Sequence, residues 1–136
     1  MPKKPDVKWS PVPLQKKIEA GADFIQTQFG FDLEIVRAYA ERLNAEGITE
    51  KLGVIIGVGP IRSAKSARWM NENLFGVTVP EPIIARIEAA KDQAAEGRRV
   101  CAELIEGLKQ IPGIAGAHIM APAQGTDAIA AVLDSL

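Results

Sequence analysis

The chain has 136 residues, enough for one ordinary domain, with 47% apolar and 24% charged residues, which is globular usage. Sixteen Lys and Arg against seventeen Asp and Glu give a formal charge of −1, so no basic surplus exists to hold a nucleic-acid backbone. The single cysteine, Cys101, excludes an internal disulfide framework and a cysteine zinc site, and it fits a reducing compartment. No apolar run approaches the roughly 20 residues of a membrane span. The charged start MPKKPDVKWS lacks the apolar core of a signal peptide, so the expectation is a soluble, cytoplasmic chain without a membrane partner.

Residues 1–12, with Pro2, Pro5 and Pro11, predict an extended lead-in rather than a packed element. A short helix follows, with Pro13 near its first position and Gly21 as its stop. Asp23 to Gln28 is a strand candidate, rich in aromatic and β-branched residues. Asp32 is placed to cap a helix in which Leu33, Val36, Ala40 and Leu43 share one face, and Gly47 ends it. Leu52 to Val58 is apolar without alternation and predicts a strand buried on both faces, as in a parallel sheet. Ser63 caps the next helix, through Asn73, and Val77 to Val79 is extended. Two further helices are expected, from Pro82 to Ala90 and from Ala94 to Gln110. Gly113 to Met120 gives a last strand, and Thr126-Asp127 cap a final helix through Leu133.

Strands alternating with helices imply right-handed crossovers and a parallel sheet. Three strands are well short of the eight, in about 250 residues, of a (β/α)₈ barrel. The chain is either an open three-stranded domain or a piece of something larger. In either case ligands belong at the carboxyl ends of the strands. Three segments lie there: Thr27 to Asp32, Gly57 to Ser63 and His118 to Gln124. Gln28, at a strand end beside Phe29 and Phe31, is an uncharged donor and acceptor suited to a flat heterocycle with amide-like edges. The same amide could equally satisfy loop backbone. Gly57-x-Gly59 before a helix that opens with Arg62, Lys65 and Arg68 could contact an anion, or be a tight turn with a solvated basic face. It lacks the third glycine of the dinucleotide fingerprint. His118, the sole histidine, reads as a satisfied or pocket-lining residue ahead of a general base. Cys101 reads as packing, and no nucleophile–base pair stands out.

The run Lys17-Ile18-Glu19-Ala20-Gly21-Ala22-Asp23-Phe24-Ile25-Gln26-Thr27-Gln28-Phe29-Gly30-Phe31-Asp32 resembles the methylenetetrahydrofolate reductase family. In that family a Lys-x-x-x-Gly-Ala helix end leads into a strand closing on Thr-Gln-aromatic and then Phe-Asp. Gly57 to Lys65 with Arg68-Trp69-Met70 is similar to the next strand and helix of a bacterial branch. Ala94 to Glu106 and Gly116 to Ala121 resemble its last long helix and strand. The resemblance covers residues 8–133 in the family's order.

It implies a flavin-dependent oxidoreductase of one-carbon metabolism built on a (β/α)₈ barrel. With NADH or NADPH as donor and FAD as carrier, it reduces 5,10-methylenetetrahydrofolate to 5-methyltetrahydrofolate. By residue, Gln28 matches the glutamine that bonds the folate pterin, and Lys17 matches a lysine that contacts FAD. Gln26 and Thr27 stand beside the flavin. Met120 stands where some members carry a tyrosine near FAD, and Ala64 where some carry an aromatic that stacks on the nicotinamide nucleotide. Residues 13–136 correspond to the last three strands of the barrel. The family's general acid belongs to the first five strands, so no catalytic residue is expected here. The resemblance therefore implies a partial barrel completed by a companion chain; since three strands per chain cannot tile eight, a homo-oligomer pairing its open edges would have another strand number. The other reading is a non-catalytic folate- or flavin-binding module or assembly subunit.

Overall fold

The computed structural model describes residues 3–136, so Met1 and Pro2 of the lead-in lie outside the described residues. Three parallel strands, β1 (Phe24–Phe29), β2 (Gly53–Val58) and β3 (Ile114–Ile119), pair in the order β1-β2-β3. Six α-helices accompany them: α1 (Val12–Glu19), α2 (Leu33–Ala45), α3 (Ala64–Asn73), α4 (Glu81–Glu88), α5 (Gln93–Lys109) and α6 (Thr126–Asp134). Sequential parallel strands joined by helical crossovers are the arrangement of part of a (β/α)₈ barrel.

Local chemistry explains the boundaries. Asp32 Oδ1 accepts from the backbone N–H of Glu34 and Ile35, at 3.0 and 3.3 Å, and starts α2. Gly47, at φ +70°, turns the chain out of α2 in the left-handed region. The chain then makes a short 3₁₀ turn over Ile48–Glu50 that buries Ile48. Ser63 Oγ accepts from Ser66 N–H at 3.0 Å and starts α3. Asp92 does the same for α5 through Ala95 N–H, one residue before the start expected from periodicity. At α6 the expected cap is replaced. Gly125, at φ +76° and ψ 176°, leads the chain into the helix, and no side chain caps it. That backbone conformation suits glycine alone, so the entry comes from conformational freedom rather than from the Thr126 hydroxyl.

The core lies between the sheet and its helices. Val54, Ile56 and Val58 of β2 are buried, under Val36 and Leu43 of α2 and Val100, Leu104 and Leu108 of α5. Cys101 is fully buried among them. Burial pushes its thiol up to about 12, so it packs as a small neutral apolar group. Arg86 of α4 ties that helix to α5, donating to Glu96 at 2.7 Å and to Glu103 at 2.6 and 2.9 Å. Its hydrogen bonds hold both carboxyls below the usual carboxylate range.

Two further expectations change. The lead-in docks against the helix layer. The Trp9 ring meets Tyr39 edge-on at 5.1 Å, and Arg42 donates to the backbone carbonyls of Trp9 and Asp6, at 2.6 and 3.1 Å. Its tryptophan therefore supplies apolar contact and its carbonyls find a fixed guanidinium partner. β2, expected to be buried on both faces, is buried on the helix side, whereas Gly53 and Ile55 on the other face are half-buried. That inner face is continued by exposed Phe24, Gln26 and Gln28 of β1 and Ala115 of β3, and no element among the described residues covers it.

Candidate functional site at the strand ends

The C-terminal ends of the three strands meet at Gly57. Along β1, Gln26 stands opposite Ile55 while Phe29 stands opposite Gly57, three steps against two, so the extra residue forms a bulge at Thr27 and Gln28. The Thr27 hydroxyl stitches this bulge. Its Oγ1 accepts from Gly57 N–H at 3.1 Å and donates to the Gln28 carbonyl at 2.7 Å. Phe29 N–H donates to Gln28 Oε1 at 3.0 Å, and Gly30 N–H to the Gly57 carbonyl at 2.8 Å. The Gln28 oxygen thus satisfies local backbone, while its amide nitrogen has no protein partner among the described residues and sits on an exposed residue. The oxygen end thus follows the loop-satisfying reading, while the nitrogen end is left open on that face.

From β3, His118 pairs with Gly57, and its Nε2 lies 3.1 Å from the Thr27 carbonyl of β1. A carbonyl only accepts, so Nε2 carries the hydrogen. His118 is satisfied in this way, as expected of the sole histidine. Met120 is tied to β2 by its N–H to the Val58 carbonyl at 2.8 Å, and its methyl closes over Gly57. A Cβ at Gly57 would stand 2.7 Å from the Thr27 oxygen, 2.8 Å from Met120 Cε and 3.1 Å from Gln28 C. One absent side chain therefore lets Thr27, Gln28, His118 and Met120 converge. A Cβ at Gly59 would overlap the Met120 carbonyl in the same way, so β2 and β3 also approach closely beyond their ends. Gln124 fastens the loop after β3, donating to the Pro60 carbonyl at 2.8 Å.

Not every sequence candidate is part of this cluster. Gln26 faces the same open side, one alternate position before Gln28. Thr27 has its hydroxyl turned into the sheet. Lys17 stands on the last turn of α1, where its carbonyl accepts from Ala22 N–H just before β1 begins. It is therefore at the opposite end of that strand from Gln28. The basic opening of α3 is partly neutralised, since Arg68 lies 3.0 Å from Glu88 and 3.7 Å from Glu81. Among the described residues no charged side chain is buried and no cluster of His, Cys, Asp or Glu could hold a metal. The sequence reading missed the bulge and the central place of Gly57. Its signal is a glycine inside an apolar strand, which marks a bulge or a close backbone approach.

The profile of the family described as methylenetetrahydrofolate reductase matches residues 1–136. The chain belongs to the methylenetetrahydrofolate reductase family. Among curated relatives, it is 30% identical over 101 residues to Methylenetetrahydrofolate reductase 2 of Schizosaccharomyces pombe, covering 72% of this chain. It is also 30% identical over 96 residues, 68% of the chain, to Methylenetetrahydrofolate reductase 1 of the same organism. The matched stretches are 16% and 15% of those two proteins, so the chain spans a small part of their length.

Proposed function

We propose that the chain supplies the folate-contacting strand ends of a flavin-dependent methylenetetrahydrofolate reductase, which uses NADH or NADPH to reduce 5,10-methylenetetrahydrofolate to 5-methyltetrahydrofolate. The observation that carries this reading is Gln28. It belongs to a family member, lies at the C-terminal end of a parallel strand, and aims an unpaired amide N–H₂ from an open face. A pterin presents ring nitrogens and a carbonyl along one edge, which an amide of this kind can read without a charge.

The same face suits a flavin ring. Gly53 and Gly116 carry no side chain on that face, Ile55 offers an apolar surface between them, and Gln26 and Gln28 flank it with amides. A flat heterocycle with an amide-like edge fits that donor set. Gln26 would bond the ring edge, Met120 would pack on it, and Thr27 would hold the bulge that supports them. Lys17, at the far end of β1, would meet a charged, more distant part of FAD. When bound, the flavin carries hydride between the nicotinamide donor and the folate. This chain's residues orient the two rings, and the proton chemistry falls to a carboxyl from elsewhere, since none is buried among the described residues.

The reading includes a companion chain carrying the other five strands. β1 and β3 are both edges, with rows of backbone groups left unpaired in the sheet. An apolar hollow of about 290 Å³ also opens beside β1, lined by Trp9, Leu14, Ile25, Val36, Tyr39 and Leu43. A neighbouring strand would satisfy the edge and fill the hollow together. That no carboxyl is buried among the described residues equally suits a second reading, a folate-holding module without turnover.

Titration with tetrahydrofolate tests the site itself. Replacing Gln28 by alanine should weaken binding about tenfold, the loss of a paired amide contact. Equal affinity in the two proteins would remove the folate assignment from this strand end.

A further inference from the structure

Thr27 contributes its carbonyl to a contact that no regular parallel ladder makes. In an undisturbed sheet that carbonyl accepts from an adjacent strand, about 4.8 Å away. Here the bulge gives the Gly57 N–H to the Thr27 hydroxyl, and the carbonyl accepts from His118, which is two strands away on β3. The imidazole must therefore cross β2. It can do so only because Gly57 lies beneath it, at the position His118 pairs with.

We propose that His118 is a positioning residue: through the Thr27 carbonyl it locks the bulge that aims the Gln28 amide at the ligand. The chain of contacts is short and each link is polar. His118 Nε2 holds Thr27 O, the Thr27 hydroxyl holds the Gln28 carbonyl, and Phe29 N–H holds Gln28 Oε1. Fixing the oxygen end of the Gln28 amide also fixes where its nitrogen points. An amide ordered before binding loses less conformational entropy when the ligand arrives. The role requires a donor at the ring's far nitrogen, and either the Nε2–H neutral tautomer or the imidazolium supplies one. It takes no proton from a ligand. The ligand side of this proposal rests on the reading of Gln28 as a folate contact.

The test uses the full ¹⁵N-labelled chain, its His118→Ala and His118→Gln variants, and tetrahydrofolate as the probe. His118→Ala should move the Phe29 backbone and Gln28 side-chain amide signals and weaken tetrahydrofolate binding about fivefold, the loss of one hydrogen bond. His118→Gln, whose amide nitrogen reaches a similar distance, should restore both. In the unmodified chain a long-range ¹⁵N–¹H spectrum should place the hydrogen on Nε2. Unmoved Phe29 and Gln28 signals in His118→Ala, or a neutral ring protonated on Nδ1 alone, would overturn the proposal. If the signals move while neither His118→Ala nor Gln28→Ala alters affinity, positioning stands and the folate assignment fails. Should His118→Ala not fold, the His118→Gln comparison and the tautomer spectrum still decide.

Discussion

Replacing Gly97 by alanine should destabilise the chain by about 3 kcal/mol, the upper end of the usual cost of overpacking. Gly97 is buried in the second turn of α5, where the helix rests directly on the turn that follows β2. A Cβ there would overlap the Ile61 carbonyl oxygen and stand 2.7 Å from Ile61 C and 3.1 Å from Ile61 N. All three atoms are backbone, so no side chain can swing away. Alanine would return about 1 kcal/mol of helix propensity, which is far too little to offset moving a 17-residue helix off the sheet. A thermal melt should show a loss of about 10 °C. An unchanged midpoint would mean that the helix does not seat on this turn.

Gly57→Ala should act differently, because its new methyl meets the site. Two of the three nearest atoms are backbone of the bulge, the Thr27 oxygen and Gln28 C, while the third is the flexible end of Met120. Met120 can move aside, but the bulge cannot shift without releasing the contacts that aim Gln28. The expected cost in stability is about 2 kcal/mol. The larger effect is on tetrahydrofolate binding, which should fall further than in Gln28→Ala because Thr27, His118 and Gln28 are displaced together. Melting and titration on the same preparation separate the two effects. Full affinity in Gly57→Ala would show that the junction at this glycine does not shape the site.

The fold was legible where a local chemical signal stood alone. Asp32 and Ser63 cap their helices as their positions predict, and the apolar stretch from Leu52 to Val58 contains a central parallel strand. Errors arose where the signal lies in tertiary contact. Trp9 docks on Tyr39 and Arg42, partners 30 and 33 residues away, so nothing local in the proline-rich lead-in announces it. β2 reads as buried on both sides because its residues suit a barrel interior, yet its inner face is uncovered here. Of the site, Gln28 and its placement at a strand end were visible in sequence. The bulge was not, because it depends on the register between β1 and β2 and on a glycine whose importance appears only when three strands are assembled.

On the reading proposed above, this open face is part of a flavin and folate site that a companion chain closes. Native mass spectrometry of the protein isolated gently from its source tests it most directly, since one spectrum reads both partner mass and flavin mass. A heteromer of about barrel size, on the order of 250 residues or more and carrying FAD, is the expected result. A bare monomer, or a homo-oligomer without flavin, would contradict it.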